Sequence, residues 1–254
     1  MNHRDRIRSE FARQAESFAT SPALAADTVT RKVAAALPPD ADRVLDLACG
    51  PGVLAPALAE RARLVLGLDL VRESLALASR RTAQLPGVGF VRGLAEATPL
   101  ADGSFDAVVL RLALHHVERP ERVLAEARRV LLPAGRLVVL DLTSHADLEI
   151  AALHNALERL RDPSHTRCGT SEEQHVRVEQ AGFQVIRDES WTAPRRFDEW
   201  AHIIADPVRM DALEIVLRSL ARAGVDAGLQ LREERDGALW FSYGWQLLVA
   251  EAPA

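Results

Sequence analysis

The sequence predicts an α/β protein: a Rossmann-like, doubly wound, mostly parallel seven-stranded sheet with helices on both faces and helical cap elements. Three observations carry that expectation. Short apolar runs alternate with helical stretches over residues 43–142, the mark of successive βαβ units. The first run ends in a glycine turn, Ala48-Cys49-Gly50-Pro51-Gly52, and helical sequence follows it. Beyond Leu142 the rhythm changes to helices mixed with two further apolar runs.

In chain order, Ile7, Phe11, Ala15 and Phe18 recur at helical spacing among charges, so an amphipathic helix opens the chain and must pack on something. Ser21-Pro22 closes it, and a second helix is expected over 23–37, stopped by Pro38-Pro39-Asp40. Strands are expected at 44–48, 64–68, 88–91, 105–110 and 136–142, with helices at 53–61, 73–84 and 119–131 between them. Helices then follow at 146–160 and 171–181, the latter closed by Gly182. A strand at 183–191, helices at 197–205 and Pro207–Ala223, and a final strand at 238–250 complete the chain.

Composition narrows the function. With 254 residues, 48% hydrophobic and 26% charged, the chain suits one domain with a sizeable core. Apolar runs such as Leu137-Val138-Val139-Leu140 are far too short to span a bilayer. The opening Met1-Asn2-His3-Arg4-Asp5-Arg6 lacks the apolar region of a signal peptide, so a cytoplasmic location is expected. Cys49 and Cys168 lie far apart and read as free thiols, with no metal site expected. A formal net charge of −5 gives a polyanion no general attraction, and Arg195-Arg196 is too small a cluster to reverse that. Nucleic acid is therefore not expected as a partner.

The glycine turn is the most informative stretch. Glycines there let a backbone approach a ligand closely, and a helix N-terminus favours anionic groups. Asp69 ends the next strand, where an acid commonly grips ribose hydroxyls. Gly50-x-Gly52-x-x-Ala55 also satisfies the dinucleotide fingerprint. Asp46 distinguishes the two ligands: a carboxylate close to the turn repels a pyrophosphate but suits a nucleoside carrying an ammonium and a sulfonium. S-adenosylmethionine is such a nucleoside.

Several ordered motifs extend this reading. The run from Val44 to Gly52 resembles motif I of class I S-adenosylmethionine-dependent methyltransferases, and Asp69 resembles their ribose-binding acid. Gly103-Ser104-Phe105-Asp106-Ala107-Val108-Val109 is similar to the start of their fourth strand, and Leu114-His115-His116-Val117, Arg129-Val130-Leu131 and Gly135-Arg136-Leu137 continue the match. The small-molecule subgroup similar to the enzymes of ubiquinone and menaquinone biosynthesis (methyltransferase type 11) is the nearest resemblance. Two positions depart from it. Leu94 stands where the family has an adenine-contacting acid, and Pro133-Ala134-Gly135 replaces a Pro-Gly-Gly turn.

The resemblance implies a single domain over 1–254, with N-terminal helices in 1–40, a cofactor-binding core in 41–145 and substrate-side helices and final strands in 146–254. It implies a cofactor site formed by Asp46, Ala48, Gly50, Gly52, Asp69, Leu70, Leu94, Ala95, Glu96 and Arg111. Ligands of open α/β sheets sit beyond the carboxyl ends of the strands, which adds Asp141 to the expected crevice. Methyl transfer needs mainly positioning, with a base when the acceptor must lose a proton. His165 and His116 are the catalytic candidates: His116 follows strand four, and residues 161–165 resemble a segment of some quinone-type relatives. His115 and His145 share the positional argument, and every one of these histidines also has a structural reading. Trp191, Trp200, Trp240, Phe241, Tyr243 and Trp245 could shape a flat acceptor pocket, or be ordinary core. The expected activity is transfer of a methyl group from S-adenosylmethionine to an aromatic, quinone-like or natural-product O, C or N nucleophile. A small-molecule acceptor is the expected partner, and homodimerisation is left open. An NAD(P)-dependent oxidoreductase and a non-methylating S-adenosylmethionine-binding protein are the alternatives.

Overall fold

A computed structural model describes residues 1–21 and 27–253. Helix α1 spans His3–Thr20 and α2 spans Asp27–Ala34. The start expected for the second helix, residues 23–26, lies outside the described residues. Then follow β1 (Arg43–Leu47), α3 (Ala55–Ala59), β2 (Leu64–Asp69), α4 (Arg72–Arg81), β3 (Val88–Arg92) and β4 (Phe105–Arg111). After a 3-10 turn at Leu114–His116 come α5 (Pro120–Val130), β5 (Leu131–Thr143), α6 (Leu148–Arg161) and α7 (Ser171–Gln180). The chain closes with β6 (Gln184–Arg196), α8 (Phe197–Ile204), α9 (Pro207–Ala223), β7 (Arg232–Glu233) and β8 (Leu239–Glu251).

The strands form one sheet in the order β3-β2-β1-β4-β5-β8-β6. Pairs among β1 to β5 are parallel, whereas β8 runs antiparallel to β5, β6 and β7. Among the described residues the sheet has eight strands rather than seven. The eighth is β7, a two-residue pairing with the start of β8 that has no apolar run to betray it. The order reverses between β1 and β4, which opens a crevice at the carboxyl ends of the strands.

Burial on both faces explains the nearly continuous apolar strands. Val44, Val65, Val109, Val138 and Leu140 pack with Val33, Leu58, Ile204, Leu213 and Leu217 on one face. Leu45, Leu47, Val108, Leu110 and Val139 pack with Val123, Leu124, Ala127 and Val178 on the other. Helix ends follow their local chemistry. Thr170 and Glu173 make a reciprocal capping box on α7. Asp206 caps α9, with a proline in its first turn.

Several boundaries moved, β6 for one running to Arg196 rather than 191. Helix α3 is shorter than the expected 53–61 because Gly52 to Leu54 are held in turns, with Ala55 N donating to Gly52 O at 3.3 Å. Strand β5 begins at Leu131, and the Pro133-Ala134-Gly135 turn is a bulge within it, where Ala134 takes φ 56°. Among the described residues no helix is long and apolar enough to cross a membrane.

Gly67, in the middle of β2, has no room for a side chain. An added Cβ would lie 2.5 Å from the Phe90 ring and 2.8 Å from Cys49 Sγ. Gly67→Ala is therefore expected to cost about 1–3 kcal/mol and lower the melting temperature by roughly 3–10 °C in a thermal scan.

Candidate functional site

The loop after β1 is built by the same demand on its backbone at three alternate positions. Ala48, Gly50 and Gly52 all adopt positive φ, at 61°, 52° and 70°. Cys49 N donates to Leu68 O at 3.0 Å, which ties the loop to the end of β2. Asp69 then fixes both sides of the crevice: one carboxylate oxygen accepts from Gly50 N and the other from Val71 N, each at 2.8 Å. Each carboxylate oxygen retains lone-pair capacity for a further donor.

These residues border a cavity of about 410 Å³, within the usual size of a small-molecule site. Asp46, Ala48, Gly50, Asp69, Leu70, Leu94, Ala95, Glu96 and Arg111 all line it. Gly52 does not. Its place is set by packing, since a Cβ there would come within 2.9 Å of Ala78 Cβ.

Asp46 is the unusual group. It is 2% exposed, and no protein donor reaches its carboxylate among the described residues. Burial pushes it up to about 7, opposed by the Arg111 guanidinium and reinforced by Asp69. Burial likewise brings Arg111 down to about 10. A buried carboxylate without a hydrogen-bond donor is expensive, and on a cavity wall it is a place for a cationic ligand.

Asp141 is not at this crevice. It sits beneath the 3-10 turn, accepting from Leu114 N at 2.8 Å, Leu142 N at 2.7 Å and the His115 Nδ1. Its carboxylate is spent on holding that turn. His145 is likewise elsewhere, accepting from Asp147 N at 3.0 Å in an exposed turn.

Of the catalytic candidates, His116 lines the cavity and His165 does not. His165 is buried one layer behind, where its Nε2 donates to Asn155 Oδ1 at 2.9 Å. Burial drives its ring down to about 2. The segment that raised His165 in the sequence does reach the turn that carries His116, through other atoms. Thr166 N and Oγ1 donate to His115 O at 2.9 and 2.7 Å, and Ser164 Oγ lies 3.0 Å from His116 Nδ1.

The N-terminal helix is the element that sequence reasoning left without a role. Asn2, His3, Arg4, Ile7, Phe11 and Phe18 of this region line the cavity. His3 Nε2 donates to His116 O at 2.7 Å, and Arg4 lies 3.8 Å from Glu96. The spacing of Ile7, Phe11 and Phe18 was the available signal, but it gave no destination for the apolar face.

A smaller cavity of about 60 Å³ adjoins the first and shares Phe11, Phe18, Leu112 and His116 with it. Trp200, Tyr243 and Trp245 form its far side. Phe241 stays in the core, while Trp191 and Trp240 line neither cavity. Arg161 is buried beside Trp200, 4.8 Å from its ring centroid, and pairs with Glu158, which also accepts from the Tyr243 hydroxyl.

The reversed strand order, the glycine loop and the acid at the end of β2 together give the architecture of the class I methyltransferase fold. Residues 45–139 match the methyltransferase domain family. YcgJ of Bacillus subtilis, an uncharacterised methyltransferase, is 33% identical over 62% of this chain and 63% of its own length. Its crystal structure superposes with a TM-score of 0.80 at 25% identity, over 89% of this chain and 99% of that one. YafE of Escherichia coli, an uncharacterised protein, is 30% identical over 63% of this chain and 79% of its own. A demethylmenaquinone methyltransferase of Thermus thermophilus is 44% identical over 44% of this chain and 52% of its own. The chain belongs to the class I S-adenosylmethionine-dependent methyltransferase family. Matches span 29% to 63% of the length of four of its curated relatives.

The raised Asp46 has a measurable consequence. A carboxyl whose folded pKa exceeds its unfolded one binds a proton more tightly when folded, so stability falls as pH rises from about 4 to about 7 and is level above. Ligand-free Asp46→Asn should therefore melt above the wild type at pH 8. The gap should narrow by about 1.4 kcal/mol per pH unit below pH 7, which parallel thermal scans from pH 5 to 8 would reveal.

Proposed function

We propose that this protein transfers a methyl group from S-adenosylmethionine to a small-molecule acceptor by in-line displacement. The observation that carries the reading is Asp46: a buried carboxylate without a donor among the described residues, on the wall of a nucleoside-sized cavity. The Asp46 carboxylate and the neighbouring Arg111 guanidinium complement the ammonium and carboxylate of a zwitterionic amino acid. Asp69 takes the ribose hydroxyls with the lone pairs left beyond Gly50 N and Val71 N. Leu94 packs against the purine, and the backbone of Leu94, Ala95 and Glu96 supplies its polar contacts in place of the family's acid.

When bound, the cofactor supplies a methyl group activated by a positively charged sulfur. The chain's contribution is to hold donor and acceptor in line and dry, which is catalysis by orientation. The large cavity meets the smaller one at Phe11, Phe18, Leu112 and His116, and Trp200, Tyr243 and Trp245 of the smaller one offer a flat aromatic surface to an acceptor. An aromatic, quinone-like or natural-product nucleophile fits that surface, and the similarity to a demethylmenaquinone methyltransferase supports the same class.

A nicotinamide dinucleotide is a poorer match, because its pyrophosphate would lie beside the Asp46 carboxylate. A protein that binds the cofactor without transferring methyl would share the cofactor site, and a transfer assay separates it. Adenosylhomocysteine should raise the melting temperature, whereas NAD should leave it unmoved. Asp69→Ala should weaken adenosylhomocysteine binding by about 100-fold or more, since two charge-assisted hydrogen bonds are lost. Unchanged affinity by calorimetry would overturn the ribose assignment.

A further inference from the structure

Residues 162–167 return from the end of α6 to the turn that carries His116, and their polar atoms are arranged in one direction. Ser164 Oγ donates to Asp162 Oδ1 at 2.6 Å, and Ser164 N donates to the same oxygen at 2.8 Å. Gln14 Nε2, from α1, approaches the other carboxylate oxygen at 3.3 Å. A serine hydroxyl has one proton, and here it is committed to the carboxylate. Toward His116 Nδ1, 3.0 Å away, Ser164 Oγ can only accept. The imidazole must therefore carry its proton on Nδ1, and in the neutral ring Nε2 is left with its lone pair. Because Nδ1 is engaged on the protein side and the ring borders both cavities, Nε2 is the nitrogen left for the seam between them.

We propose that Asp162 and Ser164 form a positioning relay that fixes His116 as the Nδ1–H tautomer and presents its Nε2 as the proton acceptor for a hydroxyl-bearing acceptor. This rests on the methyl-transfer reading above. As the acceptor oxygen bonds to the methyl carbon, the methyl–sulfur bond breaks and its electron pair stays on sulfur. The O–H pair stays on oxygen, and the proton passes to His116 Nε2. One positive charge is present before and after: it leaves the sulfonium and reappears on an imidazole linked to the Asp162 carboxylate through Ser164.

The surroundings set the resting state of the ring. Burial, with His115 and Arg161 adding to it and Asp162 opposing, brings the His116 ring down to about 3, so it rests neutral and, as a weak base, accepts the proton only in concert with methyl transfer. The Phe11 ring meets it edge-on at 4.8 Å and restricts its rotation. His3 and Thr166 hold the turn through backbone carbonyls, so the ring is positioned without either ring nitrogen being consumed by them.

Nitrogen-15 NMR of histidine-labelled protein, with His116 assigned from the signals lost in His116→Gln, tests the relay directly. The expected result is the Nδ1–H tautomer in the wild type and a shift toward Nε2–H in Ser164→Ala. An Nε2–H tautomer in the wild type overturns the proposal, and that spectrum decides even if the variant does not fold. With the variant in hand, initial rates are compared over a series of substituted phenols. The ratio of wild-type to Ser164→Ala kcat should be about 100-fold for phenols protonated at the assay pH and shrink toward a few-fold for ionised ones. An equal loss across the series would also overturn it, assigning Ser164 to structure alone. Adenosylhomocysteine calorimetry on the same samples keeps the two readings apart. Absence of heat from the wild type counts against methyl transfer, and the tautomer is read independently of it.

Discussion

The architecture of the site turns on a carboxylate kept out of water with no hydrogen-bond donor among the described residues and only a partly compensating guanidinium nearby. Asp46 occupies an interior position of β1, between Gly67 of β2 and Val109 of β4 in the register. Its neighbours along the strand are leucines packed in the opposite core. Placing a charge there opposes folding, and the nearby Arg111 reduces the cost without removing it. Such a group persists where it is balanced by a ligand, and functional sites are where perturbed carboxylates collect. The glycine loop follows from the same demand, because the chain must turn sharply away from the strand end to leave space above Asp46.

The walls of the site come from three distant parts of the chain. The sheet supplies the floor, and Asp69 couples the ends of β1 and β2 by accepting from both loops. Helix α1 closes one side through Ile7, Phe11 and Phe18, with polar contacts from His3 and Arg4 at its start. The turn at 111–119 forms a third wall, and residues 162–167 brace it from behind through Thr166 N and Oγ1 on His115 O and Ser164 Oγ beside His116 Nδ1. Buried polar groups of this density are stable only when nearly all are satisfied. That requirement gives the turn bearing His115 and His116 its fixed orientation.

The histidines illustrate how far position in sequence can be trusted. His115 and His116 are adjacent, yet their rings face different partners. Asp141 takes His115 Nδ1 beneath the turn, while His116 borders both cavities. His165 belongs to a segment that packs on the turn bearing His116, but the residue itself turns into the core toward Asn155. One residue earlier, Ser164 makes the contact with His116. A side chain's direction at the end of a helix depends on the turn that follows, and that turn is set by what it packs against.

Alternating apolar runs and helical periods determined the doubly wound sheet, because a strand buried on both faces must be apolar throughout and a crossover helix must be amphipathic. The glycine turn, Asp46 and Asp69 were also legible, since their chemistry is local: positive φ favours glycine, and an acid at a strand end points into the crevice. Tertiary structure alone decided that α1 walls the cavity, that Gly52 serves packing, that Asp141 holds a turn and that Ser164 reaches His116. Each of these depends on contacts between residues far apart in the chain, and neither periodicity nor residue type encodes which distant surface a given side chain will meet.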